Sequence, residues 1–306
     1  MFRRFLVLVY TLILSGFQLF SGCAPVDKNP DSNLKEIVIT TDPVLFGNEV
    51  LIKENLDKLK GLNIGLVVHG LSLVNGVFLP DTLIHSGINV KKLFSPEHGL
   101  RGQAEAGGKI SDDIDSKTGL PIVSLYGSKN KPSNEDLNGL DIIIFDLQDV
   151  GARFYTYLST LHYVMEACAE AGVKVWVLDR PNPSIHCIGG PVLKPEVKSF
   201  VGMHAVPIQY GMTIGEYAKM INGEGWLAEK QKCDLTIINM FGYQRSMKWE
   251  GTNHPWLAPS PNLPTLESAE NYPYLCWYEG TQTSVGRGTD KPFEQIGFPG
   301  HRGFLK

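Results

Sequence analysis

Ionisable side chains recur in this sequence directly after apolar runs. His69 follows the run 62–68, and Glu97 and His98 follow 89–94 after Ser95-Pro96. Asp146 and Asp149 follow 141–145, and Asp179 and Arg180 follow 173–178. If these runs are parallel strands, the residues share one rim outside the strand carboxyl ends, where open α/β sheets bind ligands. Two or more carboxylates, an imidazole and a guanidinium facing one cleft suit acid–base chemistry. Glycoside hydrolysis asks for such a set: one carboxyl gives a proton to the leaving oxygen while an ionised one acts on water or on the anomeric carbon. Glu97 is the candidate acid. Pro96 stiffens the turn that presents it, and the apolar strand beneath limits hydration of its charged form. His98 beside it is positioned to bind substrate or share the proton. A mononuclear metal site built from His69, His98 and Asp146 is an alternative reading of the same rim.

Other chemistries lack their signatures. The sequence has no GxGxxG after the first strand, no phosphate-binding GxxxxGK[ST], no GxSxG elbow and no HExxH. No cofactor is therefore expected. With 28 basic and 32 acidic residues the net charge is −4, which argues against a nucleic-acid partner. A hydrophobic content of 43% in 306 residues supports a sizeable core and excludes global disorder.

The elements that position the rim alternate. Strands are expected at 62–68, 89–94, 122–125, 141–145 and 173–178, with the nearly continuous apolar runs of strands covered on both faces. Helices are expected at 81–86, stopped by Gly87, and at 156–171, stopped by Gly172. Leu158, Leu161, Met165 and Cys168 fall on one face of the longer helix. The fold class is α/β, a Rossmann-like open parallel sheet, over residues 38–200. From about 201 the pattern changes. A helix at 213–222 and a strand at 234–240 precede a Gly-, Pro- and aromatic-rich stretch with weak periodicity, so 201–306 is expected to be a smaller α+β substrate-binding domain.

The N-terminus carries an address. Arg3 and Arg4 precede the apolar run 5–14, and Leu19-Phe20-Ser21-Gly22-Cys23 resembles a bacterial lipobox, with Phe20 an uncommon residue at its position. Residues 1–22 are read as a lipoprotein signal peptide, Cys23 as the lipidated residue and 23–37 as a flexible leader. The protein is expected to be exported and lipid-anchored to the cell envelope, on the periplasmic or outer-membrane face, touching the membrane only through the anchor. The remaining cysteines, Cys168, Cys187, Cys233 and Cys276, lack zinc spacing and are expected to be mostly buried free thiols, with at most one bridge.

A wider set of motifs carries a resemblance. Phe94-Ser95-Pro96-Glu97-His98-Gly99-Leu100-Arg101-Gly102 resembles the PEHG motif of the NamZ-type exo-β-N-acetylmuramidase family, formerly a domain of unknown function. Phe145-Asp146-Leu147-Gln148-Asp149-Val150-Gly151-Ala152-Arg153-Phe154-Tyr155-Thr156-Tyr157 matches it too, as do Ser124-Leu125-Tyr126-Gly127 and Asp179-Arg180-Pro181-Asn182-Pro183. So do Pro259-Ser260-Pro261-Asn262, Glu279-Gly280-Thr281 and the run 284–292. The match extends over roughly 38–300. It implies an exo-acting glycosidase that releases terminal β-linked N-acetylmuramic acid from the non-reducing end of peptidoglycan fragments, with substrate in a cleft between two domains. It also implies Glu97 as the leading catalytic residue, with His98 as its neighbour. Asp146 is the first choice for the second carboxylate and Glu279 the second. Arg153, Arg180 and Arg287 are candidates to bind the lactyl carboxylate of the sugar. His69, Arg101, Asp149, Tyr155, Asp179 and Asn182 complete the expected substrate-binding set. After the first strand, relatives show Asn-x-Thr or Asn-x-Ser where this chain has His69-Gly70-Leu71. Relatives also continue past Lys306, so the second domain is expected to be incomplete. A carbohydrate-binding lipoprotein without turnover, or a metal-dependent hydrolase or deacetylase, are the competing readings.

Overall fold

The computed structural model describes residues 43–97, 100 and 113–300. The expected signal peptide, Cys23, the leader, His98 and Arg101 lie outside the described residues. Among the described residues there are eleven strands: β1 (Ile64–Val68), β2 (Leu73–Val74), β3 (Val77–Phe78), β4 (Val90–Ser95), β5 (Asp113–Ile114), β6 (Pro121–Ser124), β7 (Ile142–Asp146), β8 (Lys174–Leu178), β9 (Ile188–Gly189), β10 (Gln209–Tyr210) and β11 (Leu235–Ile238). The α-helices are α1 (Gly47–Val50), α2 (Leu79–His85), α3 (Asn134–Leu137), α4 (Tyr157–Ala171), α5 (Ile214–Gly223) and α6 (Leu266–Leu275).

Seven strands form one sheet in the order β11-β8-β7-β1-β4-β6-β5. All pairings are parallel except β5 with β6. The chain winds outward from β1 through β4 to β6, then returns to the other side of β1 and continues through β7 and β8 to β11. Strand order thus reverses between β1 and β7, which makes their carboxyl ends the switch point of a doubly wound fold. β1 and β7 are buried at every position, as their unbroken apolar sequences require.

Helices cover both faces. On one, Leu158, Leu161, Met165 and Cys168 of α4 pack with Tyr217 and Ile221 of α5 against Val67, Phe145 and Val177. On the other, Leu51, Leu59, Leu79 and Leu83 pack against Leu66, Leu93 and Ile144. α4 ends where expected: Gly172 takes φ +69° and its N–H bonds the Cys168 carbonyl. The four cysteines from Cys168 onward are free thiols.

The boundary expected at 201 does not divide the sheet. β11 pairs in parallel with β8, α5 packs between them and α4, and residues Asp42–Lys306 cluster as one compact unit. The physical cause is the strand 235–238, largely apolar and half-buried, which pairs onto β8 as the sheet edge rather than starting a new layer. α6 was hidden in a stretch of weak periodicity and contains Pro273. Its start is conventional, since the Thr265 hydroxyl accepts the Ser268 N–H at 3.0 Å.

Candidate active site

Glu97 stands just beyond the carboxyl end of β4, partly exposed, after the buried Ser95-Pro96 turn. The Thr156 hydroxyl, on the residue that opens α4, donates to Glu97 Oε2 at 2.9 Å. Tyr126, two residues past β6, hydrogen-bonds the same carboxylate. Burial, followed by the Glu97 charge and that bond, pushes the phenol pKa up to about 12, so Tyr126 stays a proton donor. Tyr126 is not among the residues expected at the site; its place just past the end of the strand beside β4 is the signal that points to it.

Glu97 lines a small hollow of about 60 Å³ together with Thr156, Ser260, Asn262, Tyr272 and Arg287. Two phenols build one wall. Tyr155 Oη and Tyr157 Oη both donate to the Pro259 carbonyl, at 3.1 and 3.3 Å, and pin the Ser260–Asn262 turn against the start of α4. The Tyr155 ring is packed edge-on against Tyr157 (4.8 Å) and Tyr272 (6.0 Å), so it is a wall of the hollow rather than an open stacking face. Arg287 lies 5.1 Å over the Phe293 ring and is ion-paired with Glu279. Among the described residues lining this hollow, Glu97 is the acid and Arg287 the base.

Most other rim residues are at the strand ends, as expected, but they face each other. Asp146 is fully buried. Its carboxylate takes Arg180 Nε at 2.6 Å and Nη2 at 3.0 Å, with Asn48 Nδ2 at 3.3 Å. Asp146, the expected second carboxylate, and Arg180, an expected carboxylate binder, thus pair with and neutralise each other, while Arg180 also lines a hollow at the strand ends. Asp179 accepts the Thr213 hydroxyl and the Gly215 N–H, holding the start of α5, and burial raises its pKa to about 6. Asp149 accepts the Gly151 N–H at 2.7 Å and the Tyr210 hydroxyl, and burial likewise raises it to about 6. Asn182 braces the same loop through the Ser184 N–H and the Met212 carbonyl. Gly151 needs its φ of +82°, and a Cβ there would sit 2.2 Å from Asn182 Oδ1. Asp179 and Asn182 are buried on hydrogen-bond partners and brace the loops that carry Thr156 and Tyr155, whereas Asp149 Oδ1 is buried without a hydrogen-bond partner among the described residues.

His69 is also buried. Its Nδ1 faces the Leu71 N–H at 2.9 Å and its Nε2 the Gln148 N–H at 3.0 Å, and its ring lies 5.5 Å from that of Tyr157. With His69 and Asp146 both engaged, two donors of the alternative metal site are committed elsewhere. No group of three His, Cys, Asp or Glu among the described residues is arranged to hold an ion. Glu279 lines a neighbouring hollow rather than that of Glu97. A further hollow, about 440 Å³, opens past β1 and β7 at the switch point. Phe46, Gln148, Arg180 and Trp249 line it, with Glu49 and His254 paired at 3.1 Å. Glu97 is not part of it.

Comparison with known proteins decides between the readings of this rim. Residues 64–267 match the model of the N-terminal domain of the exo-β-N-acetylmuramidase NamZ, and residues 270–304 match that of its C-terminal domain. The chain belongs to the NamZ family. It is 42% identical over 289 residues to the peptidoglycan β-N-acetylmuramidase NamZ of Bacillus subtilis strain 168, covering 94% of this chain and 68% of that protein. Two crystal structures of DUF1343 family proteins from Bacteroides fragilis NCTC 9343 share the fold. One has a TM-score of 0.77 at 41% identity, over 87% of this chain and 70% of the other. The second has 0.78 at 36%, over 83% and 65%. The family's own junction falls between 267 and 270, at the start of α6, which agrees with β11 belonging to the sheet.

Proposed function

We propose that this NamZ-family chain is an exo-acting glycosidase that removes terminal β-linked N-acetylmuramic acid from peptidoglycan fragments. Glu97, in its protonated form, gives its proton to the glycosidic oxygen as the bond to the anomeric carbon breaks; a water oxygen bonds that carbon and the proton it sheds restores the acid, leaving free N-acetylmuramic acid and the shortened fragment. Thr156 and Tyr126 donate to the carboxylate and fix its direction. His98 is proposed as the neighbour that shares its proton. Arg287, whose ion pair with Glu279 is made through Nε, receives the lactyl carboxylate on its Nη groups, and Ser260 and Asn262 hydrogen-bond sugar hydroxyls. The observation that carries the reading is the presence of Glu97 and Arg287 in one hollow: an acid for the bond, and a cation for the acidic side group that distinguishes this sugar from N-acetylglucosamine. The test is discrimination. Aryl β-N-acetylmuraminide is expected to be cleaved and aryl β-N-acetylglucosaminide to be cleaved poorly. Arg287→Met should remove most of that preference through KM. Equal cleavage of both glycosides by the unmodified protein would reject the assignment of Arg287.

We also propose that Cys23 carries a lipid that holds the enzyme at the cell envelope. Labelling with a radioactive fatty acid should be seen for the unmodified chain and lost in Cys23→Ser.

A further inference from the structure

Arg153 departs from the other described arginines. Arg180, Arg245 and Arg287 each pair with a carboxylate. Arg153 is 6% exposed, yet no carboxylate among the described residues pairs with it. Its Nη1 donates to the Pro191 carbonyl at 2.8 Å and to that of Val206, and its backbone N–H bonds Ile208. A guanidinium carries five N–H donors, and those on Nε and Nη2 meet no acceptor among the described residues. A buried charge is costly unless an opposite charge or hydrogen bonds compensate it. Burial also lowers the pKa of this guanidinium, opposed only in part by the Tyr217 phenol.

The side chain lines a hollow of about 590 Å³ next to the one that holds Glu97. The two share Phe154 and Tyr272 as walls, and the Glu279–Arg287 pair joins them, with Arg287 on the Glu97 side. The far wall is apolar and open. Val197, Val201 and Trp277 are 61, 56 and 51% exposed. The Trp277 ring is held edge-on against Phe154, with centroids 5.4 Å apart, so it is both fixed and available for stacking.

We infer that this second hollow is the aglycone subsite, in which Arg153 binds a carboxylate on the leaving side of the substrate and Trp277 stacks on a sugar ring. The inference rests on the reading that the terminal sugar occupies the Glu97 hollow. An alternating chain of N-acetylmuramic acid and N-acetylglucosamine offers such a carboxylate on its third sugar, either as the free lactyl group or at the end of an attached peptide.

The experiment measures kcat/KM for three trisaccharides that differ only at the third sugar: free lactyl carboxylate, neutral methylamide, and alanyl-glutamate amide. The unmodified enzyme is expected to favour a charged form over the methylamide by at least about tenfold, the effect of a hydrogen bond to a charged group. The better of the two charged forms identifies the source of the carboxylate. Arg153→Gln should bring that ratio close to one, and Trp277→Ala should raise KM for all three relative to the aryl muraminide. A ratio taken within one preparation does not depend on its active fraction, so partial misfolding of a variant leaves it intact. Equal rates on charged and neutral trisaccharides by the unmodified enzyme, or an unchanged ratio in Arg153→Gln, overturns the inference. Failure of the underlying reading shows differently: the aryl muraminide would not be cleaved, or Glu97→Gln would cleave it as fast.

Discussion

Replacing Asp146 by Asn separates a structural role from a catalytic one. Asp146 is 0% exposed and Arg180 5%, and two nitrogens of Arg180 contact its two oxygens at 2.6 and 3.0 Å. Removing one partner of such a buried pair leaves the other charge uncompensated, at a cost of about 3–5 kcal/mol. For a domain of this size each kcal/mol moves the melting temperature by about 2–4 °C, so Asp146→Asn should melt roughly 6–20 °C lower. Arg180→Met should fall by a similar amount. The double variant Asp146→Leu/Arg180→Met should recover most of the loss, because no lone charge remains. Thermal melts and urea unfolding at pH 7.5 measure this, with activity followed on the folded fraction. If Asp146→Asn melts within about 2 °C of the unmodified protein while activity falls by about a thousandfold or more, the pair is not structural. Asp146 would then return as the second catalytic carboxylate.

Three further outcomes follow from the same geometry. His162 and His204 are buried side by side, with His204 Nε2 3.0 Å from His162 Nδ1, and burial lowers their pKa values to about 4 and about 3. Both are neutral in the folded and unfolded states above pH 6.5. Below it the unfolded chain binds protons first, so each His destabilises the fold by about 1.4 kcal/mol per pH unit down to its folded pKa. The buried Asp149 and Asp179, raised to about 6, act in the opposite sense between pH 6 and 4. The His contribution is therefore read as a difference: His204→Gln should gain relative stability in urea as pH falls from 6.5 to 4.5, and a constant difference would refute it. Gly151→Ala should lose more than about 1 kcal/mol in the same assay, because of its positive φ and the approach to Asn182; unchanged stability would contradict the strain. Leu161→Ala, fully buried on α4, should cost about 2–5 kcal/mol without changing KM on folded enzyme.

Much of the fold was legible because its signals are local. The runs that became β1, β7 and β8 are apolar at nearly every position, and α4 shows both its periodicity and its Gly172 stop. The placement of Glu97 at a strand end followed from the same pattern. Pairing among rim residues was not legible. Nothing in the spacing of Asp146 and Arg180, 34 residues apart, distinguishes two groups that face a ligand from two that face each other. α6 was obscured by Pro273 and by aromatic residues without clear periodicity, so the wall that brings Tyr272 beside Glu97 could not be read. Arg287 was expected as a substrate binder from the motif resemblance, but the folding of Phe293 and the 260–262 turn onto its hollow was not legible.

The most direct test of the central claim is the hydrolysis of aryl β-N-acetylmuraminide by Glu97→Gln beside the unmodified enzyme, both shown to be folded by circular dichroism and melting. The substitution keeps the side chain's shape and its contact with Thr156 within reach, and removes only the transferable proton. The account predicts a fall in kcat of about a hundredfold or more, with KM little changed. Turnover within a few-fold of the unmodified enzyme would contradict it.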